Sequence, residues 1–242
     1  MTSGRDTVTL VDDELDVLAE CLPLAARDII ELGCGAARLA RSLLERYPDS
    51  RVSGLEVDER QHAKNLAWPQ PGLTFVAGGA QAIPFADASF DLALMLKSLH
   101  HVPVPWLAQA LGEVARVLRP GGTYVGTVSQ GEPFHSSYFH HTPWGLLSVL
   151  AATPGLRPVR LWAAGGDTLA SLARMGRYPR VVRWLLSLVD GLHRGLPLLA
   201  PRKARWPRRA RELDRLYRAA SVAFLVVKEG PHNSLSQESG RA

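Results

Sequence analysis

From residue 12 onward the chain alternates short unbroken apolar runs with stretches in which apolar residues recur every third or fourth position. Runs of the first kind suit strands buried on both faces, and those of the second kind suit amphipathic helices. Leu15, Leu18 and Leu22 predict a helix over 12–21. Asp28-Ile29-Ile30-Glu31-Leu32 predicts a buried strand stopped by Gly33. Residues 36–47 place Leu39, Ala40, Leu43 and Leu44 on one face, and Pro48 ends that helix. Further strands are predicted at 51–57, 73–77, 90–96 and 123–128, with helices over 58–66 and 106–118. Pro120-Gly121-Gly122 halts the second of these helices. Strands and helices joined in this way need crossover connections, which give a parallel sheet covered on both faces. The expected fold is α/β, doubly wound and Rossmann-like.

After Gln130 the pattern changes. Aromatic residues and histidines cluster, followed by a predicted helix over 142–151 and a strand over 157–162. Amphipathic segments follow at 167–175 and 178–193, then a break at Pro197 and Pro201 and a basic helix near 208–219. Ser221 to Lys228, SVAFLVVK, is too apolar for the surface and must return to the sheet. The expected organisation is a core over 1–130, a cap over 131–220, a final core strand over 221–229 and a flexible tail over 230–242.

Composition narrows the class. With 242 residues, 46% hydrophobic and 21% charged, the chain can bury a full core, and a disordered or fibrous protein is excluded. Two cysteines, Cys21 and Cys34, make no disulfide framework. The acidic start MTSGRDTVTLVDDELD lacks the basic flank of a signal peptide, and no uncharged run approaches the ~20 residues of a membrane span. A cytoplasmic setting is expected. The net charge of +5 is uneven: residues 157–228 hold sixteen Lys or Arg against Asp167, Asp190, Glu212 and Asp214. Such a basic half suits an anionic partner, or simply a solvated Arg-rich face.

The chemistry lies in the loops. Glu31-Leu32-Gly33-Cys34-Gly35 turns from a strand into a helix, which lets the backbone approach a ligand and aims N–H groups at it. Arg38 stands where a dinucleotide fingerprint has its third glycine, which disfavours a nicotinamide or flavin enzyme. Glu56 ends the second strand, where a carboxylate can accept both hydroxyls of a ribose. Gly78-Gly79-Ala80-Gln81-Ala82-Ile83-Pro84-Phe85, then Ser89-Phe90-Asp91, then Leu118-Arg119-Pro120-Gly121-Gly122, follow in order. On these motifs the chain resembles the class I S-adenosylmethionine-dependent methyltransferases of the small-molecule type, continuously over 12–130 and again at the late strand. The resemblance implies a seven-stranded sheet with its last strand antiparallel, a helical cap inserted before that strand, and S-adenosyl-L-methionine as cofactor.

It also implies roles. Gly33 and Gly35 would pass under the methionine part, with Glu31 fixing the loop. Glu56 would bind the ribose, Ala80 and Gln81 the adenine, and Lys97 the methionyl group through its carbonyl. Gly79 stands where the family commonly has Asp for the adenine amino group, so Gln81 or a carbonyl must take that contact. Methyl transfer needs orientation, a dry pocket and, for oxygen or carbon acceptors, a base. His101 and His135, on loops after the fourth and fifth strands, are the candidate bases. His100, Glu132, Phe134, Tyr138, His140, His141 and Trp144 are candidates for lining an apolar or aromatic acceptor's pocket. Packing alone would also account for the aromatics and for several of these histidines. No metal is expected: His135-x4-His140-His141 is no standard zinc spacing, and Lys97 and Ser98 stand where metal-dependent relatives place acids.

O- or C-methylation of a small molecule is therefore the expected activity. A fold relative running another reaction on the same cofactor, or a nucleic-acid methyltransferase using the basic cap, stays open. Against the latter, no Asn/Asp-Pro-Pro-aromatic motif follows the fourth strand. The basic, amphipathic 178–193 segment also suits peripheral contact with an anionic membrane. Monomer and homodimer are both compatible with the sequence.

Overall fold

A computed structural model describes residues 14–130, 140–167, 179–199 and 215–230. Its elements are α1 (Glu14–Cys21), β1 (Asp28–Leu32), α2 (Arg38–Arg46), β2 (Arg51–Glu56), α3 (Glu59–Leu66), β3 (Leu73–Ala77) and β4 (Phe90–Leu96). Two 3-10 turns, Leu99–His101 and Val104–Trp106, lead into α4 (Leu107–Val117). Then come β5 (Leu118–Ser129), α5 (Pro143–Ala152), β6 (Leu156–Asp167), α6 (Arg180–Leu199) and β7 (Ala219–Lys228).

The strands form one sheet of seven in the order β3-β2-β1-β4-β5-β7-β6. β1 to β5 run parallel, and β7 lies antiparallel between β5 and β6. The expected architecture is the observed one. Ile29 and Ile30, adjacent in β1 and both 0% exposed, pack into opposite layers, as the period of two requires. One layer joins Ile30, Met95, Leu111 and Phe224, the other Ile29, Leu43, Val52 and Val125. β7 is buried from Ala219 to Phe224, which is why its sequence is so apolar.

Several boundaries differ from expectation. α2 starts at Arg38, not residue 36, because Ala37 sits in the left-handed region at φ 54. β2 stops at Glu56, and Val57 is exposed. Trp106 belongs to the 3-10 turn rather than to α4. β5 begins at Leu118, which pairs with Phe90; the Pro-Gly-Gly break survives as a register shift before Leu92 meets Thr123. β6 runs to Asp167, beyond the expected 157–162. The stretch 131–220, expected as a cap, thus gives the sheet its edge strand β6 together with α5, which packs on it. α6 runs past residue 193 to Leu199. Of the expected basic helix at 208–219, residues 208–214 lie outside the described residues, 215–218 are helical, and Ala219 already belongs to β7.

The amino edge of the sheet is closed by ion pairs. Asp28 takes Arg51 at 2.7 Å and Arg119 at 2.9 Å, and Arg119 also reaches Asp91 at 2.9 Å. These guanidinium groups hold the Asp28 carboxyl below its usual range. A cleft of about 290 Å³ beside Arg27, Asp91 and Arg119 lies at this edge, away from the glycine loop.

Candidate functional site at the carboxyl edge

The loop after β1 is shaped by packing from three sides. The N–H groups of Gly33 and Cys34 both donate to the Leu55 carbonyl of β2, at 2.9 and 3.1 Å. Gly33 has φ +71, and a Cβ there would stand 2.8 Å from the Ser98 Cβ. Ser98 is fixed in turn, because its hydroxyl donates to the Leu32 carbonyl at 2.7 Å. Gly35 has φ +51 with nothing within 4 Å of a built Cβ, so space opens above it. Its carbonyl accepts from the Asn65 amide at 2.7 Å.

Glu56 ties this loop to the next. Gly35 N–H donates to Oε2 at 2.7 Å, and Asp58 N–H donates to Oε1 at 2.9 Å. Each carboxylate oxygen keeps a second lone pair for a further donor. Glu31, also buried, accepts from the Ala40 N–H in the first turn of α2, doing the work that Ala37 cannot do as a cap. Its Oε2 is buried with no hydrogen-bond partner among the described residues. Burial, and to a smaller degree the nearby Glu14 and Glu56 carboxylates, pushes Glu31 up to about 8.

Lys97 follows β4 with φ +60, its N–H donating to the Thr127 hydroxyl at 3.0 Å and to the Thr127 carbonyl at 3.1 Å. Its ammonium pairs with Glu14 at 2.7 Å, although both side chains are at least half exposed, so the pair adds little stability. On the third loop the Gln81 amide folds back over Gly79. A Cβ at Gly79 would come within 2.7 Å of Gln81 Nε2, so the absent side chain makes room for that fold. Ala80, beside them, packs partly buried against the core.

The histidines divide. His100 is 1% exposed, and Ser129 N–H donates to its Nδ1 at 3.4 Å, which puts the ring proton of the neutral form on Nε2. His101 is exposed at the rim, its ring 4.4 Å from that of His100. His140 is exposed, with Nδ1 3.2 Å from the Gln130 carbonyl. His141 is buried, and burial pushes its imidazole down to about 4. Trp144, in the first turn of α5, is 63% exposed. Glu132, Phe134, His135 and Tyr138 lie outside the described residues.

The carboxyl ends of β1, β2 and β4, with the loop after β3, therefore bring together Glu31, Gly33, Gly35, Glu56 and Lys97, with Gly79, Ala80 and Gln81 on the loop. Sequence reasoning missed Asn65, Ser98 and Thr127, each of which holds the site through the main chain. A buried Asn in the polar helix ERQHAKNL was the single available signal.

One expected result follows from Glu31. Its folded pKa lies above that of an exposed carboxyl, so the native state holds a proton that the unfolded chain has lost. Stability should fall as pH rises from about 4.5 to about 8. His141, depressed by burial, acts oppositely and costs stability as pH drops below 6.5 toward 4. Between 6.5 and 8 only Glu31 of this pair titrates. Melts across that window should show a decline in wild type that Glu31→Gln removes, on a scale of roughly 1.4 kcal/mol for each pH unit. Parallel profiles would disprove the buried-acid assignment.

The fold and the glycine loop define an enzyme of the nucleotide-cofactor type, and comparison with known proteins agrees. Residues 29–122 match the family described as methyltransferase domain. An uncharacterised methyltransferase of Mycobacterium tuberculosis is 33% identical over 217 residues, spanning 77% of this chain and 80% of the relative. The 27-O-demethylrifamycin SV methyltransferase of Amycolatopsis mediterranei is 38% identical over 113 residues, 44% of this chain; the match covers 40% of that relative's length. Among solved structures, the 1,6-didemethyltoxoflavin-N1-methyltransferase of Burkholderia thailandensis, with S-adenosylhomocysteine bound, superposes with a TM-score of 0.57 at 16% identity, covering 89% of this chain and 76% of that one. The chain belongs to the class I S-adenosylmethionine-dependent methyltransferase family.

Proposed function

We propose that the protein methylates an oxygen or carbon of a small apolar or aromatic acceptor seated over the carboxyl ends of β4 and β5. The observation that carries this reading is the rim itself. Val104 and Trp106, in the turn that follows β4, and Trp144, in the first turn of α5, are 59%, 48% and 63% exposed, and the imidazoles of His101 and His140 on the same connections are exposed too. Apolar surface with a few polar groups is what such an acceptor's pocket requires. The name of the rifamycin relative, a methyltransferase of a 27-O-demethyl compound, points to oxygen as the acceptor in that enzyme and supports the same reading here.

The residues present fit the cofactor. Glu31 Oε2, buried without a hydrogen-bond partner among the described residues, would accept from a donor on the cofactor, and the open space above Gly35 suits a chain lying on the loop. The spare lone pairs of Glu56 suit ribose hydroxyls. The Gln81 side-chain oxygen would accept from the adenine amino group in place of the family's Asp, with Gly79 giving it room and Ala80 offering its main chain. Lys97 presents its carbonyl, and its left-handed φ is set by Thr127. When bound, S-adenosylmethionine supplies a methyl group activated on a sulfonium. The protein's own part is to orient the acceptor, exclude water and remove a proton.

His101 holds that proton on a ring nitrogen as the methyl arrives. His100 sits behind it as a positioning residue whose Nδ1 is fixed by Ser129. His141, buried and held by its main-chain N–H to the Ser129 carbonyl at the end of β5, would support the pocket from below rather than act as a base. His101→Ala should lower turnover about ten-fold or more, with cofactor affinity unchanged, as expected for a general base. The acidic limb of the rate–pH profile should vanish with it; an unaltered profile transfers the role to His135 or removes the need for a base. The reading as a whole is tested with methyl-labelled cofactor and a panel of phenols, enolisable ketones and amines. Labelled O- or C-methyl product supports it. Label in amines alone, or an unlabelled isomer of the acceptor, overturns it.

A further inference from the structure

α6 carries an exposed apolar face with a basic border. Val181, Trp184, Leu185, Leu188, Val189 and Leu192 recur at three- and four-residue spacing, and each is 45% or more exposed. Together they form one continuous stripe along a single side of the helix. Arg180, Arg183 and Ser187 recur at the same spacing on the other side. None of the other described elements packs extensively against α6. A contiguous apolar surface of this kind marks an interaction site.

Charge selects the occupant. From residue 168 to residue 211 the sequence has eleven Lys or Arg and one acid, Asp190. A second copy would bring the same excess of positive charge against itself, and like charges juxtaposed at an interface cost several kcal/mol. Nucleic acid would satisfy the arginines but leave the apolar stripe in water. An anionic lipid surface satisfies both: headgroups face the arginines while the stripe enters the acyl boundary, with Trp184 at the interface. No described helix is long and apolar enough to cross a membrane. Arg180 and Arg183 within α6 are consistent with a helix lying in the plane of the surface.

We infer that α6 is a membrane-surface helix that docks the enzyme on anionic lipid. The docking is independent of methyl transfer and would hold for any acceptor, although it would suit one that is itself dissolved in the bilayer. The full chain is mixed with vesicles of phosphatidylcholine, alone or with about a third phosphatidylglycerol, and sedimented. Wild type should bind the anionic vesicles, release at high salt, and bind neutral vesicles at least about ten-fold more weakly. Leu185→Gln with Leu188→Gln should weaken binding by about ten-fold or more, and Arg180→Glu with Arg183→Glu should do the same. Leu185, Leu188 and Arg180 are exposed and Arg183 is partly so, and melts of both variants should match wild type, which separates lost docking from lost folding. Trp184→Phe should remove a blue shift of fluorescence seen when wild type meets anionic vesicles. The inference is overturned if wild type does not sediment with anionic vesicles at low salt. It is equally overturned if the glutamine variant binds as well as wild type, or if the stripe instead holds a dimer that this variant dissociates without any lipid effect.

Discussion

Glu56→Ala should weaken the binding of S-adenosylhomocysteine by about 1.5–3 kcal/mol, the usual cost of losing a charged hydrogen-bond acceptor, and lower thermal stability at the same time. Both effects come from one carboxylate doing two things. In the protein alone it accepts from the N–H of Gly35 and of Asp58, at 2.7 and 2.9 Å. Truncation of this carboxylate, itself only 7% exposed, leaves those two part-buried donors without their partner, so the loop loses the tie that sets its height above β1. With ligand present, the remaining lone pairs are the acceptors for the ribose. Glu56→Gln separates the two roles. An amide has one oxygen, so it can satisfy Gly35 or Asp58 but presents a donor to the other. Its stability should fall between wild type and the alanine variant, while its affinity stays close to that of alanine. Calorimetric titration beside thermal melts reads both quantities. Unchanged affinity in Glu56→Ala would remove Glu56 from the cofactor site and with it the ordering of the whole carboxyl edge proposed above.

What could be read from the sequence follows the range of the interactions. β1 and β4 were legible because burial on both faces forces a run of apolar residues, and Ile29-Ile30 reports this in two letters. The antiparallel return of β7 was legible for the same reason. The glycine loop and Glu56 were legible because only glycine takes φ +71 comfortably and because strand ends position the acid. Helix starts were less so: Ala37 holds a left-handed angle that no propensity assigns to alanine, and it does so because the chain around it is pinned by Leu55, Glu31 and Asn65. Asn65 and Ser98 act across 30 and 66 residues of sequence, and a hydroxyl or amide gives no sign of a partner so far away. The extra length of β6 is of the same kind. Its pairing with β7 is set by Ala163↔Val222 and Ala164↔Ser221, which no local pattern in 163–167 announces.

Gly33→Ala should destabilise the protein by about 2–4 kcal/mol, the sum of a left-handed angle and overpacking. The two parts can be measured separately. The angle, φ +71, costs alanine roughly 1–2 kcal/mol wherever it occurs. The contact is with Ser98, whose Cβ would lie 2.8 Å from the new methyl. Ser98 has nowhere to retreat, since its hydroxyl is bonded to the Leu32 carbonyl and Leu99 behind it is 0% exposed. Ser98→Gly should therefore cost stability alone but restore part of it in the double variant, leaving about the strain of the angle. Gly35→Ala is the control: its φ of +51 carries similar strain, but nothing stands within 4 Å of the added methyl. It should be the milder of the two in denaturant melts, yet more harmful to ligand binding than to folding, because its methyl points into the space that the cofactor would fill. If Gly33→Ala melts with Gly35→Ala and gains nothing from Ser98→Gly, the approach of β1 to the turn after β4 is looser than 2.8 Å implies. In that case the floor of the site is set by the backbone angle alone. A gain specific to the pair would instead place the Ser98 turn beneath the loop as its rigid support, so that the position of Lys97 and the height of the glycine loop are fixed by one contact.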